Sequence, residues 1–243
     1  MLVPSTGRRS VETTEKSTTR GANPMKRTIY SLLAGMTLLS LGTMVQADEG
    51  MYAVTVTNLT RGETFTPIMV ATHKKGTHVF NLGQPASPEL AAIAEGGDFG
   101  PLSTQLLDSG VAYDVASNGG LLAPGASTTI MVKTADDFRH VTVTSMLIPT
   151  NDAFIAVNGI KGPKKKKHSR VVMSPTYDAG SEPNDELCAN MPGPVCGGEG
   201  GSPNAGGEGY VHIHAGIHGI GDLSSADFDW RNPSARIVIK RMK

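Results

Sequence analysis

Between Met51 and Ile239 the chain is written as short β-branched runs, each closed within a few residues by Gly, Pro, Asn, Asp or Ser. Met51–Asn58 alternates, with Tyr52, Val54 and Val56 on one face and Ala53, Thr55 and Thr57 on the other. A period of two with β-branched side chains predicts a half-buried strand. Thr66–Thr72 is a second run, with Pro67 near its start, where a missing amide donor costs least. Further runs are Ser103–Leu107, Val111–Val115, Ser127–Val132, Val141–Leu147, Phe154–Val157, Arg170–Met173, Tyr210–His214 and Ala235–Ile239. Asp108-Ser109-Gly110, between two of them, has the composition of a hairpin turn. One helix interrupts the pattern: Ser87 caps it, Pro88 suits its first position, Leu90, Ile93 and Ala94 share a face, and Gly96-Gly97 ends it. A parallel sheet needs a helix between successive strands, and one helix is too few. The pattern predicts an all-β fold, an antiparallel β-sandwich, with that short helix packed over an end of the sheets.

The chain is 243 residues long, and its 29 Gly and 15 Pro suit many turns. Its formal charge is zero, but the first 47 residues are basic, leaving 16 basic against 20 acidic groups in the rest. A mildly acidic body has no general attraction for nucleic acid or anionic lipid, so neither is expected as a partner.

Met25-Lys26-Arg27, the apolar run Ile29–Met44 and then Val45-Gln46-Ala47 follow the order of a secretory signal, with cleavage near Ala47. The apolar run is interrupted by Ser, Thr and Gly and is short for a bilayer span, so no stable membrane insertion is expected after cleavage. Residues 1–24 are polar and lack periodicity; they read as a disordered or misassigned extension. Residues 48–243 then form one domain, released to the periplasm or outside the cell.

Residues 183–209 are rich in Gly, Pro, Asn and Glu and read as a long surface loop. They contain Cys188 and Cys196, the two cysteines of the chain. In an oxidising compartment a disulfide is the default, since the spacing is too long for a C-x-x-C redox pair.

Two groups of side chains point to metal chemistry. The turn at Pro149–Asp152 and the one that begins at Asp178 can lie at the same end of a sheet if the runs between them are antiparallel neighbours. Hard cations take several carboxylate and carbonyl oxygens converging at one point, which makes Asp152 and Asp178 candidate Ca2+ ligands. Aspartate also favours turns by bonding its own backbone, which needs no metal. The second group is Tyr210-Val-His-Ile-His-Ala-Gly-Ile-His218. His212 and His214 share a strand face and His218 follows a Gly turn, an arrangement able to hold Zn2+ or Cu2+, with Asp222, Asp227 and Asp229 available to orient the imidazoles. That reading leads to a periplasmic metalloprotein, with hydrolysis as its chemistry if a coordination position stays open. The bland alternative is a polar strand face whose imidazoles bond local carbonyls. Lys164–Lys167 with His168 and Arg170 form a basic block, read as a solvated hairpin tip. Trp230 reads as a core or loop anchor. No Gly-x-Ser-x-Gly elbow, phosphate loop or H-E-x-x-H motif occurs, and no local arrangement nominates a nucleophile, so no enzyme is expected.

The chain resembles the spondin N-terminal domain family. Thr150-Asn151-Asp152-Ala153-Phe154 is similar to the family's Ser-Pro-Asp-Trp-Phe turn, and Asp178-Ala179-Gly180-Ser181-Glu182 is closer still to its Asp-Ala-Gly-Thr-Asp turn. Tyr52–Thr60 and Gly83–Ser87 look like its bacterial branch. The resemblance implies a C2-like sandwich with a calcium site among loops at one end, Asp152 and Asp178 as ligands, and a loop carbonyl near Asp178 beside them. It also implies a non-catalytic role in adhesion or binding, to an extracellular protein or glycan. Ala153 stands where the family has Trp, which removes an aromatic wall beside the site.

Overall fold

A computed structural model describes residues 49–201 and 206–242. The proposed extension and signal segment lie outside the described residues.

Two antiparallel sheets carry the fold. The smaller is built from β1 (Gly50–Asn58), β5 (Ser127–Thr134), β8 (Ser169–Ser174) and β11 (Ala235–Arg241), in the order β5-β1-β11-β8. The larger contains β3 (Met69–His73), β4 (Ala112–Ser117), β6 (His140–Ile148), β7 (Ala153–Lys161), β9 (Thr176–Asp178) and β10 (His212–Ile213), in the order β10-β9-β7-β6-β3-β4. The short β2 (Thr64–Phe65) pairs with β6.

The alternation read in β1 is present: Tyr52, Val54 and Val56 are buried while their neighbours are half-exposed. These three meet Ile130, Val132, Ile237 and Ile239 of their own sheet and Val70, Val141, Val143, Ile155 and Val157 of the facing one. Each such side chain removed from water contributes about 1.5–3 kcal/mol, so this layer is the main source of stability. Trp230 belongs to this core, as an anchor for the loop before β11.

The helical content differs from expectation. α1 (Pro88–Gly96) has the cap that the sequence announces, with the Leu90 N–H donating to Ser87 Oγ at 3.2 Å, and Gly97 closes it at φ 69°. Residues 103–107, expected as a strand, lie instead in α2 (Gly100–Asp108), and Asp108-Ser109-Gly110 is its C-terminal turn rather than a hairpin. A third, one-turn helix, α3, spans Ser225–Phe228. The run Leu-Ser-Thr-Gln-Leu-Leu alternates too weakly to be a strand; Leu102 and Leu106, four apart, form the buried stripe of a helix with Pro101 in its first turn.

Nor do the helices sit at an end of the sheets. Leu90 and Ala94 of α1 pack on Phe154 and Ala156 of β7, and Ile93, with Leu102 and Leu106 of α2, packs on Met69 and Ala71 of β3. They cover the outer face of the larger sheet, which explains why β3 is buried along its whole length and β6 along nearly all of it.

The strand directions separate the two ends of the sandwich. β7 leaves Asp152 and reaches Lys161, about 26 Å away for an extended segment of this length. At the far end His140 pairs with Lys161, the Lys167 N–H donates to Arg241 O at 2.8 Å, and the Arg241 N–H donates to His168 O at 3.0 Å. Arg139, Lys161, Lys164–Lys167, Arg170, Lys240 and Arg241 therefore gather at one rim. The lysines of the tip are exposed, as a solvated hairpin requires. At the opposite rim stand Asp152, Asp178, Glu182, Asp185, Glu186 and Glu208.

The segment 183–209 is irregular apart from a 3-10 turn at Cys188–Asn190, and Cys188 and Cys196 are joined. Met191, between them, is fully buried in the main core. Cys188→Ser is expected to lower stability by roughly 2–3 kcal/mol, the loop-closure entropy of so small a ring, readable as a lower urea midpoint.

Candidate metal centre

The acidic rim forms where β7, β9 and β10 begin or end side by side. Ala153 pairs with Asp178, and Asp178 pairs with His212. The register thus sets Asp152, Asp178 and His212 next to one another, although they are far apart in sequence.

Asp152 and Asp178 are both 0% exposed. Asp152 Oδ2 accepts the Ser181 N–H at 2.8 Å, the Ser181 hydroxyl at 3.2 Å and the Glu182 N–H at 3.0 Å. Its Oδ1 is buried and makes no hydrogen bond. Asp178 Oδ1 accepts the Gly180 N–H at 2.7 Å, and its Oδ2 accepts from Asn184 Nδ2 at 2.7 Å. Burial, reinforced by the neighbouring Asp178 carboxylate, pushes Asp152 up to about 7, against the pull of its three donors. Two buried carboxylates with one oxygen left over are costly alone and match the donor set of a hard cation. By that test the residues present fit Ca2+, and Asp152 and Asp178 are the side chains that would hold it.

The histidines fall into three different environments. His214 is 5% exposed and both its nitrogens are engaged: Nδ1 accepts the Gly216 N–H at 2.9 Å, so Nε2 carries the proton and donates to Asn184 Oδ1 at 3.1 Å. His218 is held through its backbone, whose N–H donates to Glu186 Oε1 at 2.6 Å, and its ring lines a cleft with Trp230 and Asp229. His212 keeps a buried nitrogen free, as Nδ1 donates to Ile213 O at 3.0 Å while Nε2 is buried without a hydrogen bond. Among the described residues the three imidazoles do not form one ligand set. None of Asp222, Asp227 and Asp229 hydrogen-bonds an imidazole: Asp222 accepts the Cys188 N–H and Asp229 accepts the Ile217 N–H.

Instead, His212 Nε2 faces Asp178 Oδ1 at 3.7 Å and Glu208 Oε2 at 3.6 Å. Glu208 reaches this place because the backbones meet closely. The Gly209 N–H donates to Gly180 O at 2.8 Å, and a Cβ on Gly180 would come within 2.4 Å of Tyr210 O. Gly180 also has a φ of 66°, so the turn tolerates only glycine there without strain. Asn184, Glu186 and Glu208 were hidden in the Gly-rich segment; the one sequence signal was Glu208 standing four residues before His212.

The class defined by fold and site is a β-sandwich whose loop end carries buried carboxylates. The spondin N-terminal family (Spondin_N) matches residues 56–183, more than half of the chain, and the protein belongs to that family. Asp152 and Asp178 lie inside the matched segment, whereas Glu208, His212, His214 and His218 lie beyond it. No curated protein matches the chain. The family is one of non-enzymatic, extracellular domains, and the disulfide fits a secreted protein. Among the described residues no helix is long and apolar enough to cross a membrane.

Proposed function

We propose that the protein is a secreted, non-catalytic binding module in which Ca2+ joins the Asp152 and Asp178 turns and stiffens the rim that meets an extracellular protein or glycan. The observation that carries this reading is the unpartnered, buried Asp152 Oδ1 beside a second buried carboxylate. A divalent cation removes their repulsion and occupies the orphaned oxygen. Support for the contact surface comes from exposed apolar side chains in the same region: Leu187, Val195, Tyr210, Ile213 and Ile220 all lie in or beside the Gly-rich segment. Such side chains, ringed by polar ones, suit a partner's surface better than open solvent.

Calcium at about a hundred times its dissociation constant is expected to add about 2.7 kcal/mol of stability. For a domain of this size that is a rise in melting temperature of roughly 5–10 °C, reversed by chelator. Asp178→Ala abolishes the chelator response. An identical response in that variant, or none in the unaltered protein, would remove the calcium reading.

A further inference from the structure

We infer that Asp178, Glu208 and His212 form a second metal site, selective for borderline divalent cations of the zinc type, beside the proposed calcium pocket. Among the described residues this is a group whose ligating atoms, one from each side chain, all lie within 4.8 Å of one another. It does not rest on the calcium reading, because Glu208 and His212 have no part in that pocket; the two sites share only Asp178.

The state of the imidazole is the strongest point. In the neutral imidazole, the bond from Nδ1 to the Ile213 carbonyl leaves the lone pair on Nε2. That is the outer hydrogen bond a metal-bound histidine ordinarily makes, and it turns the lone pair inward. Nε2 is buried and unpartnered, though 27% of the side chain remains exposed, and it faces a carboxylate oxygen on either side. Ligands at about 2.0–2.1 Å around a tetrahedral zinc stand about 3.3 Å apart. The gaps of 3.6 and 3.7 Å need only a few tenths of an ångström of contraction.

Charge and chemistry agree with this assignment. Two carboxylates and a neutral imidazole exactly balance a divalent ion, and the nitrogen donor favours zinc over calcium, which prefers oxygen throughout. Supply from solvent is open, because the Glu208 side chain is 38% exposed at the lip of the site. Asp178 is braced on both oxygens by the Gly180 N–H and the Asn184 amide, so the rigid ligand is already in place. The exposed Glu208 closes last.

The test is a zinc titration of the purified protein in excess calcium, followed calorimetrically, with Co2+ as a spectroscopic stand-in. Stoichiometric binding is expected, with a visible Co2+ absorption of low-coordinate nitrogen–oxygen type. His212→Ala and Glu208→Gln should each weaken zinc by ~10-fold or more while leaving the calcium-dependent melting shift intact. Asp152→Asn should do the reverse, losing the calcium shift and retaining zinc. His212 sits on a two-residue edge strand, so its replacement leaves the core untouched. Absent zinc binding, or equal affinity in His212→Ala, would overturn the assignment and leave His212 as an ion-pair partner only. Zinc lost in Asp152→Asn but kept in His212→Ala would likewise overturn it, placing the ion in the neighbouring pocket.

Discussion

Glu63→Gln is expected to stabilise the protein increasingly as pH rises, by on the order of 4 kcal/mol at pH 8 relative to pH 4. Glu63 is 0% exposed, and neither carboxylate oxygen makes a hydrogen bond. Burial, with Asp229 nearby, pushes it up to about 9. The folded state therefore keeps this proton over a range in which the unfolded chain has lost it. Where the native state binds more protons, stability falls as pH rises, so the penalty builds from about pH 4.5 toward pH 9. Glutamine has the same shape and no charge to desolvate, so it removes the pH-dependent part. The measurement is the difference in urea midpoint between variant and unaltered protein at several pH values. A difference that stays flat from pH 4 to 8 would show that Glu63 is not a buried acid. Asp152, raised by burial, is present in both proteins and cancels in the comparison.

Glu186→Ala should have an effect nearly as large, in the opposite direction: a loss of about 3 kcal/mol. Its Oε1 accepts the His218 N–H at 2.6 Å, and its Oε2 accepts those of Gly219 and Ile220 at 2.7 and 2.9 Å. The Glu186 carbonyl also accepts the Asp222 N–H at 2.8 Å. One side chain thus fastens the disulfide-bearing loop to the segment that follows β10. Removing it strands three amide donors in a site where Glu186 itself is only 3% exposed. Glutamate already holds this left-handed conformation, at a φ of 56°, so alanine adds no new backbone cost, and Glu186→Gln is the control that keeps the shape of the side chain. Glutamine retains one acceptor oxygen and should recover part of the loss. Hydrogen exchange at residues 218–220 should accelerate in the order glutamate, glutamine, alanine. Equal exchange in all three would mean that the clamp does not hold the loop.

Much of the sandwich was legible because burial on one face leaves a period of two in the sequence, as in β1 and β11. Both aspartates of the rim were legible too, since each sits in a turn of a recognisable type. α2 was not: nine residues with only two fully buried leucines give a weak stripe, and Leu107 on its exposed side blurred the period. Nor were β2 and β9, which are two and three residues long. They exist because β6 and β7 offer them free edges, a property of the partner strands. Glu63 and Glu186 could not be read as buried, because each lies in a polar stretch whose covering residues arrive from far along the chain. The same holds for Glu208, delivered to His212 by contact between two glycine-rich backbones. Of the histidine motif, His212 stands opposite Asp178 in the sheet. Periodicity left open which ring nitrogens were already engaged, and that decides what each imidazole can do.

The lysines at one rim and the carboxylates at the other give the sandwich, with 16 basic against 20 acidic groups, an electric dipole on top of its small net negative charge. Such a body feels a torque as well as a net pull in an electric field, so it turns as it approaches anything charged. Near a negatively charged surface the lysine tip leads and the carboxylate rim faces the bulk, where dissolved cations are replenished. Added salt weakens that alignment within about a Debye length, 8 Å at physiological strength, without altering the buried carboxylates themselves.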